Sequence, residues 1–138
     1  YVPDVARDRL VVADSFGPAS ASLRGVTMTV GERLSGWVAA NHQSIVNSEA
    51  ALDLGPIAEA SSLQTCMSVP LLMGESLVGV LSLYAPSANA FSGDCGRLIQ
   101  MVAPHIAVAL HMASSATAEA RKLGDKAGAA SLRLVAAS

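Results

Sequence analysis

The sequence predicts an α+β domain, and three features carry that reading. Val69-Pro70-Leu71-Leu72-Met73-Gly74-Glu75-Ser76-Leu77-Val78-Gly79-Val80-Leu81-Ser82-Leu83-Tyr84 is a pair of apolar runs meeting at a Gly-Glu turn, the pattern of a central β-hairpin. Ser92 then opens a long stretch with apolar residues at helical spacing. Ahead of both lie several short strand signals and one short helical signal.

In chain order, Leu10-Val11-Val12-Ala13-Asp14-Ser15-Phe16-Gly17 reads as a strand ended by glycine, following a polar turn at Ala6 to Arg9. Residues 18 to 25 favour a short helix or turn, and Val26 to Val30 alternate as a short strand. Gly31 to Asn41 changes period to a short helix with Leu34, Trp37 and Val38 on one side and Ser35 as N-cap. Ser44 to Asn47 is another strand, and the looser region from Ser48 to Ala60 is broken at Gly55-Pro56, where a helix can start. The hairpin strands follow at about Thr65 to Met73 and Ser76 to Tyr84. Pro70 cannot donate to a ladder, so its position must be a strand start, a bulge or an edge. Ser92 caps the last helix, with Asp94 in its first turn and Phe91 packing back as a staple. That helix is expected to reach about Leu123, to bend near Gln100 to Pro104, and to turn Leu98, Val102, Ile106 and Ala109 or Leu110 toward a sheet. Residues 1–123 are therefore assigned to the domain and 124–138 to a linker.

With 138 residues, 51% of them hydrophobic and 14% charged, the chain is one domain able to bury a core without disulfides or metals. The net charge is -2, and no Lys or Arg stands between Arg33 and Arg97, so nothing marks a nucleic-acid surface. A site built from that interval must hold anions through backbone amides or not at all. Leu98 to Ala118 carries no formal charge, but Gln100, Pro104, His105, His111 and Ser114 recur through it. The spacing is that of an amphipathic helix rather than a membrane span, and the expectation is a cytoplasmic soluble domain with no membrane insertion. Cys66 and Cys95 without a CxxC read as reduced thiols. His105 and His111, six apart on one helix, fall on different faces and cannot share a metal.

The order of Gly31-Glu32-Arg33-Leu34-Ser35-Gly36-Trp37-Val38-Ala39, the Val69 to Leu81 segment and the Phe91-Ser92 helix start resembles that of a GAF domain, a sensor module of signalling proteins. The resemblance implies an antiparallel sheet of about five to six strands, with the long C-terminal helix on one face and a pocket under loops and short helices on the other. The family's N-terminal helix is absent, and the chain opens inside its first strand, so a segment of a longer protein is expected. Ile45-Val46-Asn47-Ser48-Glu49 and Leu52-Asp53-Leu54-Gly55 look like GAF domains attached to bacterial cyclic-dinucleotide enzymes, sigma-54 activators or sensor kinases.

On this reading the function is non-catalytic sensing of a small, uncharged or weakly polar molecule, or ligand-free dimerisation as a spacer. Polar candidates are Asn47, Ser48, Glu49 and Asp53 over a floor of Val69, Leu71, Val80 and Ser82, with Trp37 and Cys66 as further contacts. Each has a plainer reading: Trp37 as core packing, Cys66 as a small buried hydrophobe. No metal, haem or bilin is expected, since neither cysteine precedes a histidine as in bilin-binding relatives. Free methionine-(R)-sulfoxide reductases share the fold, but where their cysteines stand this chain has Glu59 and Ala60. A homodimer through the Ala/Met/Ser side of Val108 to Ala118 is the expected partner.

Overall fold

The computed structural model describes residues 1–137, with side chains through residue 128. Strands β1 (Val2–Pro3), β2 (Arg9–Val11) and β3 (Thr27–Thr29) form one antiparallel sheet in that order; β4 (Ile45–Glu49), β5 (Thr65–Met73) and β6 (Ser76–Ala85) form a second. Tyr1 joins them: its backbone nitrogen donates to the Val80 carbonyl at 2.9 Å, and its carbonyl accepts from the Val80 amide at 2.9 Å. The strands thus run β3-β2-β1-β6-β5-β4, in keeping with the expected sheet of five to six.

The hairpin stands where the sequence placed it. Gly74 takes a positive φ of 61°, which a side chain would resist, and lets β5 reverse into β6 over two residues. Pro70 lies beyond the last β4 pair, Ile45 with Ser68, so its missing donor falls on an open edge. Along β5 the period of two divides the core. Met67, Val69 and Leu71 turn to one face, Cys66 and Ser68 to the other.

On the first face lies α5 (Gly93–Ala137), capped by the Ser92 hydroxyl, which accepts from the Cys95 amide at 3.1 Å. The stripe that meets the sheet is Gly96, Ile99, Ala103, Ala107 and Leu110, not the expected Leu98, Val102, Ile106 set, which stays exposed. Bulk explains the correction: β5 and β6 fill this face with Met67, Val69, Leu71 and Leu81, so the helix approaches through small residues. Gly79 shows how close the layers come. A Cβ there would lie 2.8 Å from the Tyr1 carbonyl oxygen and 2.9 Å from Leu110 Cδ2. The helix also runs past its expected end near Leu123, through Ala137, so the stretch assigned to a linker is helical that far, with Ser138 outside the described residues. Gly124 and Gly128 each cost only about 1 kcal/mol against Ala in a helix, which Ala, Leu, Lys and Arg around them offset. By length and composition α5 could cross a membrane, yet Ala103 and Ala107 are buried on the hairpin.

The opposite face is covered by short elements: α1 (Ser20–Leu23), α2 (Arg33–Asn41), α3 (Ala51–Leu54) and α4 (Pro56–Ala60). Leu10, Met28, Leu77 and Val80 pack with Val38 of α2, and Leu23, Ala50 and Cys66 with Leu54 of α3 and Ala58 of α4. Pro56 begins α4 as its position suggested. The strand expected to reach Gly17 instead stops at Val11. One more bond joins the Val12 amide to Val26, then the Asp14 carboxylate takes the Ser15 amide at 2.8 Å and turns the chain outward before Gly17-Pro18. Residues 12 to 19 become a loop.

Candidate functional site

Asp53 is wholly buried on the face away from α5, and hydroxyl groups are arranged around it. The Ser35 amide donates to Oδ1 at 2.7 Å, the Ser35 hydroxyl to Oδ2 at 2.6 Å, and the Tyr84 hydroxyl also to Oδ2, at 2.5 Å. Ser35 was expected to cap α2, but the helix starts at Arg33, and the serine on its first turn faces inward instead. From Ser35 the network continues to Ser82 at 2.6 Å and Ser68 at 3.4 Å, with Ser68 and Ser82 2.9 Å apart. From Tyr84 it continues to the Tyr1 hydroxyl at 3.1 Å.

The directions of these bonds are fixed by one fact: an ionised carboxylate only accepts. Tyr84 spends its single proton on Asp53, so Tyr1 must donate to Tyr84. Ser35 likewise spends its proton on Asp53, so Ser82 and Ser68 must turn theirs toward Ser35 or one another. Every buried side-chain polar atom among the described residues has a partner. Arg33 sits nearby, its guanidinium donating to the Asp53 carbonyl oxygen at 3.1 Å rather than to the carboxylate. Burial and then the Asp53 charge push the Tyr84 hydroxyl and the Cys66 thiol well above their usual pKa values, and burial pushes Tyr1 up to about 12.

Beside this network is a cavity of about 410 Å³. Ser82, Tyr84 and Tyr1 contribute to its lining from the sheet, Leu23 from α1, Ser61 and Leu63 from the chain after α4. The loop of residues 12–19 overhangs it, with Phe16 90% exposed at the rim. Asp14 is the one charged side chain in the lining, and no Lys, Arg or His side chain contributes among the described residues. The cavity is therefore apolar with hydroxyl oxygens on one wall.

Of the expected contacts only Ser82 lines this cavity. Asp53 stands behind the hydroxyls, without exposure of its own. Val69 and Leu71 are on the other face, beneath α5, because strand alternation opposes them to Ser68 and Ser82. Val80 packs with the α2 cluster, and Cys66, 0% exposed, is core beneath α3. Trp37 is 39% exposed on the outer side of α2 and lines no part of the cavity. Asn47 is structural: it takes the extra position of a β4 bulge at φ 55°, donates to the Phe91 carbonyl at 2.6 Å and accepts from the Phe91 amide at 2.9 Å. Ser48 and Glu49 follow it on β4, Glu49 exposed, and neither reaches the cavity. His105 and His111 are both exposed on α5.

Missed altogether were Tyr1, Ser35, Ser68 and Tyr84, and the loop of residues 12–19. The signal for two of them was present: Ser68 and Tyr84 recur with the expected Ser82 at one parity of strands otherwise filled with aliphatic residues.

A family profile described as the GAF domain matches residues 2–111. No curated protein sequence matches the chain significantly. Among solved structures the chain is similar to the GAF domain of a phosphoenolpyruvate-protein phosphotransferase (ptsP) from Coxiella burnetii, at TM-score 0.71 and 19% identity over 85% of this chain and 72% of that one. It is similar to the second GAF domain of DevS from Mycobacterium smegmatis, at TM-score 0.66 and 20% identity over 86% and 81%. It is also similar to free methionine-R-sulfoxide reductase from Neisseria meningitidis in complex with its substrate, at TM-score 0.68 and 22% identity over 84% and 67%. With the profile spanning most of the domain and these folds in agreement, the chain belongs to the GAF domain family.

Proposed function

We propose that this chain is a non-catalytic regulatory sensor domain of a bacterial signal-transduction protein. It binds a small molecule beneath residues 12–19 and acts, in the cytoplasm, on an attached output domain through α5, as a homodimer. The observation that carries the reading is β6, whose two faces serve two purposes. Ser82 and Tyr84 border the cavity, while Leu81 packs against the layer that holds α5 and Leu83 touches both. A ligand that shifts the hydroxyl wall therefore acts on the strand that supports the helix.

A reductase role, suggested by the similar methionine-sulfoxide enzyme, is disfavoured by the thiols. Cys66 is 0% exposed with its pKa raised, so it offers no thiolate, and Cys95 begins a helix packed on the opposite face. A ligand-free spacer role is the second reading, favoured by the exposed apolar positions Leu98, Met101, Val108 and Met112 along α5. Native mass spectrometry of freshly purified protein, with a thermal-shift screen of metabolites, separates the two. A retained or stabilising metabolite supports sensing; a screen without one, combined with a stable dimer, supports the spacer.

A further inference from the structure

We infer that the cavity selects a hydrogen-bond donor of positive charge, an amine or ammonium compound, and turns away carboxylates and phosphates; the inference rests on the sensor reading above. Four hydroxyls in the lining have protons already committed within the protein. Tyr84 donates to Asp53, Tyr1 to Tyr84, Ser82 into the Ser35 and Ser68 cluster, and Ser15 to the Ser20 carbonyl at 3.1 Å. Because the Ser35 proton is spent on Asp53, the 2.6 Å contact between Ser35 and Ser82 is made by the Ser82 proton, which therefore stays inside, while Ser68 donates to Ser82 or Ser35. What these groups show a ligand is lone pairs. Ser61 is the lining hydroxyl left free to donate among the described residues.

Charge acts in the same direction. Asp14 stands at the rim, and Asp53 lies one hydroxyl behind the wall, its charge passed outward through bonds that polarise one another. Arg33 is held on the Asp53 carbonyl and does not line the cavity. An anion placed against the sheet wall meets acceptor oxygens and leaves them unpaired, a costly mismatch in a water-poor site, whereas an ammonium group satisfies several at once.

A matched series tests this: 2-phenylethylamine, 2-phenylethanol and 3-phenylpropionate, titrated into the intact protein and followed by amide chemical shifts. The amine is expected to move the amides of Ser15, Phe16, Ser82 and Tyr84 and to bind at least about ten-fold more tightly than the carboxylate, with the alcohol between. Asp14→Asn, at an exposed position where the Asn oxygen can still accept from the Ser15 amide, is expected to reduce the amine-to-carboxylate ratio several-fold. Equal or tighter binding of the carboxylate at those amides overturns the selectivity while leaving a working cavity. An unchanged ratio in Asp14→Asn overturns the charge argument. If no member of the series moves those amides, the amine assignment is overturned, while the sensor reading stands or falls on the metabolite screen above.

Discussion

Tyr84 donates its phenolic hydrogen to Oδ2 of Asp53 across 2.5 Å, and this bond sets the polarity of the Tyr1 hydroxyl, as the Ser35 bond to the same oxygen sets that of Ser82 and Ser68. A carboxylate with donors on both oxygens, in a site without exposure, is tied to the donors as closely as they are tied to it.

Asp53→Asn tests that dependence. The amide nitrogen of asparagine is itself a donor and, placed at Oδ2, would face the Ser35 and Tyr84 hydroxyls; placed at Oδ1, it would face the Ser35 amide. A loss of about 2–4 kcal/mol in denaturant unfolding is expected, the scale of buried donors left without acceptors. A change within about 0.5 kcal/mol would show that the network contributes little.

Alkaline pH should weaken the domain. Tyr1, Tyr84 and Cys66 all bind their protons more tightly when folded, so their contribution is complete below the unfolded values of 9.0 for the thiol and 10.0 for the phenols. It is lost as pH climbs, with Tyr1 ionising in the folded state at about 12. Unfolding free energy measured at intervals from pH 8 upward, with tyrosinate absorbance read in parallel, is expected to fall from about pH 9 onward. Tyr84→Phe should shallow that slope; a slope identical to wild type contradicts the assignment.

Close packing of α2 depends on Gly36. A Cβ there would press on the Thr29 carbonyl oxygen, well inside van der Waals contact, and both partners are backbone. Gly36→Ala is expected to cost about 1–3 kcal/mol despite its better helix propensity, with Gly124→Ala as the control that gains slightly. Thermal melts of the two variants should move in opposite directions.

At Asn47 two causes can be separated. Asn47→Gly keeps the positive φ and loses both bonds to Phe91; Asn47→Ala loses the bonds and adds backbone strain. Both should destabilise, the alanine variant by about 1 kcal/mol more. Metabolite binding under residues 12–19 should survive in each.

The exposed face of α5 makes the dimer testable. Met101 is 72% exposed, with Leu98, Val108 and Met112 at spacings that suit a helical seam. Sedimentation at micromolar concentration is expected to give a dimer, and Met101→Lys with Val108→Glu a monomer of unchanged melting temperature. A wild-type monomer removes the dimer from the proposal.

The hairpin and the Ser92 cap were legible in the sequence because each rests on local chemistry: a glycine at a turn, a hydroxyl before a helix. The sheet-facing side of α5 was not legible. Hydrophobicity alone ranks Leu98 and Val102 above Ala103 and Ala107, and only the bulk of Met67 and Leu81 across the interface reverses that order. The site failed for a related reason. Asp53 carries the charge of a pocket residue, but its partners are 18 and 31 positions away, at Ser35 and Tyr84, and a contact of that span leaves no periodic mark. The absence of basic residues between Arg33 and Arg97 did carry over, because the cavity draws its sheet wall from that interval.

The small residues that let α5 lie close to the hairpin also make it a lever. Its sheet contacts end near Leu110, and at 1.5 Å per residue the helix extends about 27 Å further to Gly128. A tilt of about 3° at the Ala103 and Ala107 fulcrum carries Gly128 sideways by about 2 Å, roughly the amplitude of helix shifts in known switches. Gly79, pressed between Tyr1 and Leu110, sits where the hydroxyl wall and that fulcrum meet, so a displacement too small to change the core can still be amplified at the helix's far end.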